Sequence, residues 1–232
     1  PEENKRFYSE EILYLPNSYS PPINLKNSEQ KIFSREDLGL PSDGFVFTCF
    51  NRIEKITRRE FRIWIKLLKS VEKSVLWILK PNDSAIKNIF SELYNNGLEK
   101  GRVVFAERIN LNDHLSRYSC GDLCLDTFNY NSGTTALNAL QAGVPIITLL
   151  GKSFCARMAA SALVRYDLSE LITYDELEYE SLALELATNR EKLKDLRKKI
   201  IRKINSTNND FLVYTKELEY TLTNSINNYL CK

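Results

Sequence analysis

Short unbroken apolar runs alternate along the chain with stretches in which apolar residues return every three or four positions. The runs are Phe45–Phe50, Ser74–Leu79, Arg102–Ala106, Asp122–Asp126 and Val144–Leu149. They show no apolar/polar alternation, so they predict strands covered on both faces. Between the first two, Thr57–Val71 carries Phe61, Trp64, Ile65, Leu67 and Leu68 on one helical face. Thr57-Arg58-Arg59-Glu60 supplies a capping box at its start. Further helices are predicted over Asp83–Asn96, closed by Gly97, from Asn110 to about Ser119, and over Gly133–Ala142, ended by Gly143. After Leu150 the pattern turns mostly helical. Thr173-x-x-Glu176 and Thr188-x-x-Glu191 read as capping boxes, and a final helix is expected over Phe211–Tyr229. Strand–helix alternation of this kind predicts an α/β fold with a parallel, Rossmann-like sheet.

The patterned region opens at the turn Pro41-Ser42-Asp43-Gly44. The residues ahead of it, with Pro16, Pro21 and Pro22, read as a surface-wrapping connector with an extended piece at Ile12–Leu15. Composition bounds the function. The 32 basic residues against 30 acidic ones give a net charge of +2 and no general case for nucleic acid. No apolar run approaches the roughly 20 residues needed to span a bilayer. Cys49, Cys120, Cys124, Cys155 and Cys231 are odd in number and irregularly spaced, so free thiols in a reducing, cytoplasmic setting are expected. Zinc at Cys120, Cys124 and His114 lacks the ligand spacing. The chain begins at Pro1 with no apolar leader, and its single methionine is Met158, so it is expected to be a piece of a longer protein.

In an open parallel sheet, ligands bind beyond the carboxyl ends of the strands. The first strand is followed there by Asn51-Arg52-Ile53-Glu54-Lys55, the third by Asn110-Leu111-Asn112-Asp113-His114. The fourth is followed by Asn129-Tyr130-Asn131-Ser132-Gly133-Thr134-Thr135, running straight into a helix. Gly133, Thr134 and Thr135 offer N–H groups at a helix N-terminus and two hydroxyls, a combination that binds phosphate. Lys55 could add a point charge, and His114 could stack on a base or donate a hydrogen bond. An ordinary helix cap, a solvated lysine and a structural histidine are the alternatives at each place. Other chemistries lack their motifs: there is no GxGxxG, P-loop or GxSxG, and no Asp-x-Asp pair after a strand. The basic stretch Arg190–Lys203 reads as a solvated helix face.

Taken together, these residues resemble a known family. The resemblance runs through Phe50-Asn51-x-x-x-Lys55-Ile56, Ser74-Val75-Leu76-Trp77-Ile78-Leu79, Cys124-Leu125-Asp126-Thr127 and Asn131-x-Gly133-Thr134-Thr135. It continues through Ala142-Gly143-Val144-Pro145 and Gly151-x-Ser153-Phe154-x-x-Arg157-x-Ala159-Ala160-Ser161. Order and spacing from about Leu13 to Tyr220 are similar to the C-terminal catalytic half of protein O-GlcNAc transferases, the bacterial members with tetratricopeptide repeats above all. The resemblance implies the second lobe of a GT-B glycosyltransferase. Residues 1–43 would then be a connector from a missing N-terminal lobe, and residues 44–232 the lobe that binds UDP-GlcNAc or a related UDP-sugar, ending in a helical tail. It implies inverting, metal-independent transfer to Ser or Thr hydroxyls of an acceptor protein, with no cofactor. The partner lobe and the repeats would lie outside the chain.

By residue match, Lys55 takes the diphosphate-binding, catalytic position, His114 stacks on uracil, and Thr134 and Thr135 hold the diphosphate. Gly133 stands where animal members have His, Asn138 where the family has a ribose-binding Asp, and Leu111 where animal members have Lys. These departures keep two alternatives open: a non-catalytic nucleotide-sugar-binding scaffold, and a UDP-GlcNAc 2-epimerase on the same fold.

Overall fold

The computed structural model describes residues 2–21, 31–206 and 210–231. Pro1 and residues 22–30 of the expected connector lie outside the described residues. The elements run β1 (Val46–Cys49), α1 (Arg58–Ser70), β2 (Val75–Leu79), α2 (Asp83–Asn95), β3 (Val103–Ala106), α3 (Leu111–Arg117) and β4 (Leu123–Leu125). They continue with α4 (Thr134–Gln141), β5 (Ile146–Leu149), α5 (Met158–Arg165), β6 (Ile172–Thr173), α6 (Glu176–Thr188), α7 (Arg190–Ser206) and α8 (Asp210–Leu230).

The six strands form one parallel sheet in the order β3-β2-β1-β4-β5-β6. Register pairs Phe47 with both Leu76 and Leu123, so β1 is central. All of β1 and β5 is buried, as unalternating strands require. Trp64 and Trp77 are sealed in the core. The strand order reverses between β1 and β4, and a crevice at that switch point is where such sheets take ligands.

Local signals explain most boundaries. Thr57 accepts from Arg59 N–H at α1, and its hydroxyl donates to Glu60. Asn82 and Asn110 accept from Ala85 and Asp113 N–H to start α2 and α3. Gly97 and Gly143, both at φ +71°, follow the ends of α2 and α4 in the left-handed region that glycine adopts at least cost.

Two expected caps are wrong. Thr173 belongs to a sixth strand that the sequence pattern did not reveal, and its hydroxyl donates to Thr148 O at 2.9 Å. Asp175 caps α6 instead, accepting from Glu178 N–H at 2.8 Å. Thr188 is the last residue of α6, and its hydroxyl donates back to Leu184 O. Asn189 accepts from Lys192 N–H and starts α7. In each case the neighbouring Asx side chain reaches the free amide, while the threonine is occupied by the preceding element.

Ile12–Leu15 forms no strand. Residues 2–21 lie along the body without joining the sheet. Asn4 donates to Lys152 O at 2.8 Å, Arg165 donates to Ser20 O at 3.2 Å, and the Tyr214 hydroxyl donates to Tyr19 O at 3.4 Å. The basic face of α7 is a paired, exposed surface: Lys192–Glu185, Lys199–Glu170 and Lys203–Asp167 are ion pairs. Arg197 differs, donating to Gly121 O at 3.0 Å beside the β4 entry. Among the described residues no helix is long and apolar enough to cross a membrane.

Candidate functional site

β4 ends at Leu125, and the next residue, Asp126, is fully buried. One of its oxygens accepts from Thr127 N–H (2.9 Å), Ser132 N–H (2.7 Å) and Asn51 Nδ2 (3.3 Å); the other accepts from the Thr148 hydroxyl (2.7 Å). Burial raises its pKa to about 6 against the pull of these donors. The carboxylate thus ties the loops after β1 and β4 to strand β5 at one point. Asn51 also donates to Thr127 Oγ1 at 2.8 Å, and Thr127 donates to Tyr130 O at 2.6 Å. Asn131 donates to Thr127 O at 2.6 Å. The loop from Asp126 to Gly133 is therefore internally tied, and it delivers α4 at a set angle.

Lys55 ends a single turn of 3-10 helix, Ile53–Lys55, between β1 and α1. Its ammonium donates to Asn131 O at 3.2 Å and lies 3.8 Å from the centroid of the Tyr130 ring. Burial lowers its pKa, and the Asp126 charge opposes that. Three residues beyond Asn131, α4 starts. Its first amides, on Thr134 and Thr135, have no hydrogen-bond partner among the described residues, and neither do the two threonine hydroxyls. Thr134 is exposed and Thr135 half-buried. Gly133 is a place of close approach: a Cβ there would lie 2.7 Å from Met158 Cε and 3.2 Å from the Tyr19 hydroxyl.

Asn138 sits one turn further along α4, on the same face as Thr134. It is 8% exposed, and its side-chain amide makes no hydrogen bond among the described residues. The structure thus brings Lys55, Gly133, Thr134 and Thr135 together, with Asn138 behind them.

His114 approaches from α3 on the β3 side. Its ring packs on Phe50 (centroids 5.1 Å apart) and Tyr118 (5.2 Å). Arg117 donates to its Nδ1 at 2.7 Å, so the neutral imidazole carries its proton on Nε2. Burial, then the Arg117 charge, push its pKa down to about 4. Arg117 is itself buried, donating to Glu107 O at 2.7 Å and lying over Phe50 and Trp77. His114 is held as an uncharged, oriented ring, suited to stacking rather than to proton transfer at neutral pH.

The sequence reading missed Asp126, Asn51, Thr127, Tyr130 and Arg117 as site-forming residues. An acid directly after an unbroken apolar strand was the available signal for Asp126. Arg117 stands three residues after His114 on α3, a spacing visible in the sequence, while its other partners, Glu107 O, Phe50 and Trp77, come from elsewhere. Leu111, 60% exposed, offers no polar group to the site. A cleft of about 810 Å³ lies beside these residues, beyond β4, β5 and β6, lined by Arg59, Asn129, Lys152, Ser153 and Tyr174 among others. None of the predicted site residues lines it. Cys49 and Cys124 are buried free thiols, with burial pushing Cys124 up to about 12. Among the described residues no group of three or more His, Cys, Asp and Glu is placed to hold a metal ion.

The chain is similar to known proteins in sequence and fold. The model for Glycosyl transferase family 41 matches residues 24–218. A Caenorhabditis elegans UDP-N-acetylglucosamine–peptide N-acetylglucosaminyltransferase is 33% identical over 187 residues, 80% of this chain and 16% of that protein. A probable transferase of the same description, SPINDLY from Oryza sativa subsp. japonica, is 39% identical over 67% of this chain and 17% of its own length. A solved Thermobaculum terrenum O-GlcNAc transferase mutant superposes with a TM-score of 0.85 at 27% identity, covering 96% of this chain and 42% of that one. Anabaena HepE, solved with UDP, shares the fold at a TM-score of 0.60 and 17% identity. The chain spans less than half the length of the three transferases it matches. Its sheet is that of the C-terminal lobe of a GT-B glycosyltransferase, and the chain belongs to glycosyl transferase family 41.

Proposed function

We propose that the chain is the donor-binding half of an inverting, metal-independent protein O-glycosyltransferase that uses UDP-GlcNAc or a related UDP-sugar and acts on Ser or Thr hydroxyls. The observation that carries this reading is the convergence of the Lys55 ammonium, bonded to Asn131 O, with the unpartnered amides and hydroxyls of Thr134 and Thr135. Transfer joins the acceptor oxygen to the anomeric carbon as the bond from that carbon to phosphate breaks. Negative charge then develops on the departing diphosphate. A fixed ammonium and a helix N-terminus stabilise charge that grows at that position. The neutral His114 ring supplies a stacking face for uracil, and Asn138 a hydrogen-bonding group for ribose.

The names of the relatives support the donor and the peptide acceptor. The exposed Phe211, Leu212, Val213, Leu222, Ile226 and Leu230 of α8 support a second lobe that covers this helix. On this reading residues 1–43 connect to that lobe, and tetratricopeptide repeats that select acceptors lie outside the chain.

The test is calorimetric titration with UDP. Binding is expected in the wild-type chain and lost in Lys55→Ala. An absence of heat at millimolar UDP refutes the site assignment. Binding without transfer, once the chain is joined to its partner lobe, favours the non-catalytic scaffold.

A further inference from the structure

Lys55 is held by neighbours that phosphate recognition alone does not require. No carboxylate pairs with its ammonium among the described residues. Asp126, the acid whose charge it feels, is taken up by its own donors. The other charged or titratable groups around Lys55 are Arg52 on its own turn, Cys49 at the end of β1 and Cys155 in the loop after β5. Instead, the ammonium rests on the face of Tyr130, 3.8 Å from the ring centroid. Tyr130 is 45% exposed, so it is no core residue. Yet its backbone is pinned: Thr127 Oγ1 donates to its carbonyl, and the adjoining Asn131 is sealed and donates to Thr127 O. A rigid backbone here presents an aromatic face to a cation.

We propose that Tyr130 is a positioning residue for Lys55, holding the ammonium by a cation–π contact beside the N-terminus of α4. Asn131 O takes one N–H, and the remaining N–H groups are left for a diphosphate oxygen. A lysine stem loses much rotamer freedom when it is fixed on binding; one already placed loses less, and the difference appears as affinity. The ring face also favours the charged ammonium against burial. This inference rests on the reading of the site as a UDP-sugar site.

The test compares Tyr130→Phe, which keeps the ring face, with Tyr130→Leu, which removes it. UDP affinity is measured by calorimetry, and the Lys55 titration by NMR of carbon-13-labelled lysine. Tyr130→Phe is expected to bind within about 2-fold of wild type, and Tyr130→Leu to bind roughly 3- to 30-fold more weakly. Lys55 should titrate at lower pH in Tyr130→Leu and unchanged in Tyr130→Phe, a pattern that lost packing alone does not produce. A wild-type urea midpoint confirms that Tyr130→Leu is folded; if the midpoint moves, Tyr130→Ser takes its place. Unchanged affinity or an unchanged Lys55 titration in the ring-less variant overturns the proposal. So does equal weakening in Phe and Leu, which assigns the effect to the hydroxyl. If wild type binds UDP and Lys55→Ala does not while Tyr130→Leu binds as tightly as wild type, only the positioning role falls. If wild type itself fails to bind, the site reading falls with it.

Discussion

Replacing Asp126 by alanine should cost both stability and binding. The carboxylate is fully buried and accepts two backbone N–H groups, from Thr127 and Ser132, besides Asn51 and the Thr148 hydroxyl. Asn51 keeps its contact with Thr127 Oγ1, and Thr148 can rotate, so the amides carry most of the loss. Each buried donor left without a partner costs about 1–3 kcal/mol. A total of about 3–5 kcal/mol is expected for Asp126→Ala, a large share of a typical domain's stability. Asp126→Asn keeps one acceptor oxygen for the three N–H donors and should cost only about 1 kcal/mol.

The same pair reports on ionisation. With a folded pKa near 6 against an ordinary 3.8, the native state holds this proton where the unfolded chain has released it. The Asp126 contribution is therefore fully present below pH 3.8 and is lost as pH rises to 6, by on the order of 3 kcal/mol. His114 works in the opposite direction: its folded pKa, pushed down to about 4, adds stability above its ordinary 6.5 that is lost as pH falls towards 4. The half-exposed ring is partly screened, so its effect is smaller. Wild type should therefore lose stability as pH rises from 4 to 6, by less than the aspartate term alone, and the difference between wild type and Asp126→Asn isolates the aspartate. Urea unfolding from pH 4 to 6.5, with UDP calorimetry at pH 7, measures both effects. An Asp126→Ala loss below about 1 kcal/mol refutes the reasoning, as does a wild-type minus Asp126→Asn difference that stays flat across the window.

Other substitutions test separate parts of the structure. Gly133→Val should lower folding stability, because its side chain runs into Met158 Cε and the Tyr19 hydroxyl; an unchanged urea midpoint counts against the close-approach argument. Thr57→Ala removes the α1 cap and a partner of the buried Glu60, so urea unfolding should show a loss of about 1–3 kcal/mol. Arg59→Ala breaks an ion pair with Glu176 whose side chains are 55% and 43% exposed, so thermal unfolding should shift by no more than about 0.5 kcal/mol. Arg117→Met removes the donor at His114 Nδ1 and a neighbouring charge; the His114 pKa, followed by NMR, should move up towards its ordinary range.

Much of the fold was legible in the chain itself. Unalternating apolar runs such as Val46–Cys49 mark central parallel strands, and Gly97 and Gly143 stop helices where their backbones turn left-handed. β6 escaped notice because it has two residues and pairs only with β5. Thr173 and Thr188 were misread because a capping motif is a local pattern, while the hydroxyl's partner is chosen by whichever element holds the residue. For the site, Lys55 and the Gly133–Thr135 helix start could be found because loops after parallel strands are where ligands bind. Their mutual placement could not.

The sequence by itself determined the class of fold, since an apolar run without alternation has a stable home only in a sheet covered on both faces. It determined, too, that a helix N-terminus with free amides would follow the fourth strand. Tertiary structure alone decided what surrounds them. Asp126 ties the loops after β1 and β4 to strand β5, and Tyr130 meets Lys55 across more than seventy residues of chain. These are contacts between elements that sequence spacing does not relate. They form only when the strand order places β1 beside β4, because that adjacency brings two loops to one end of the sheet.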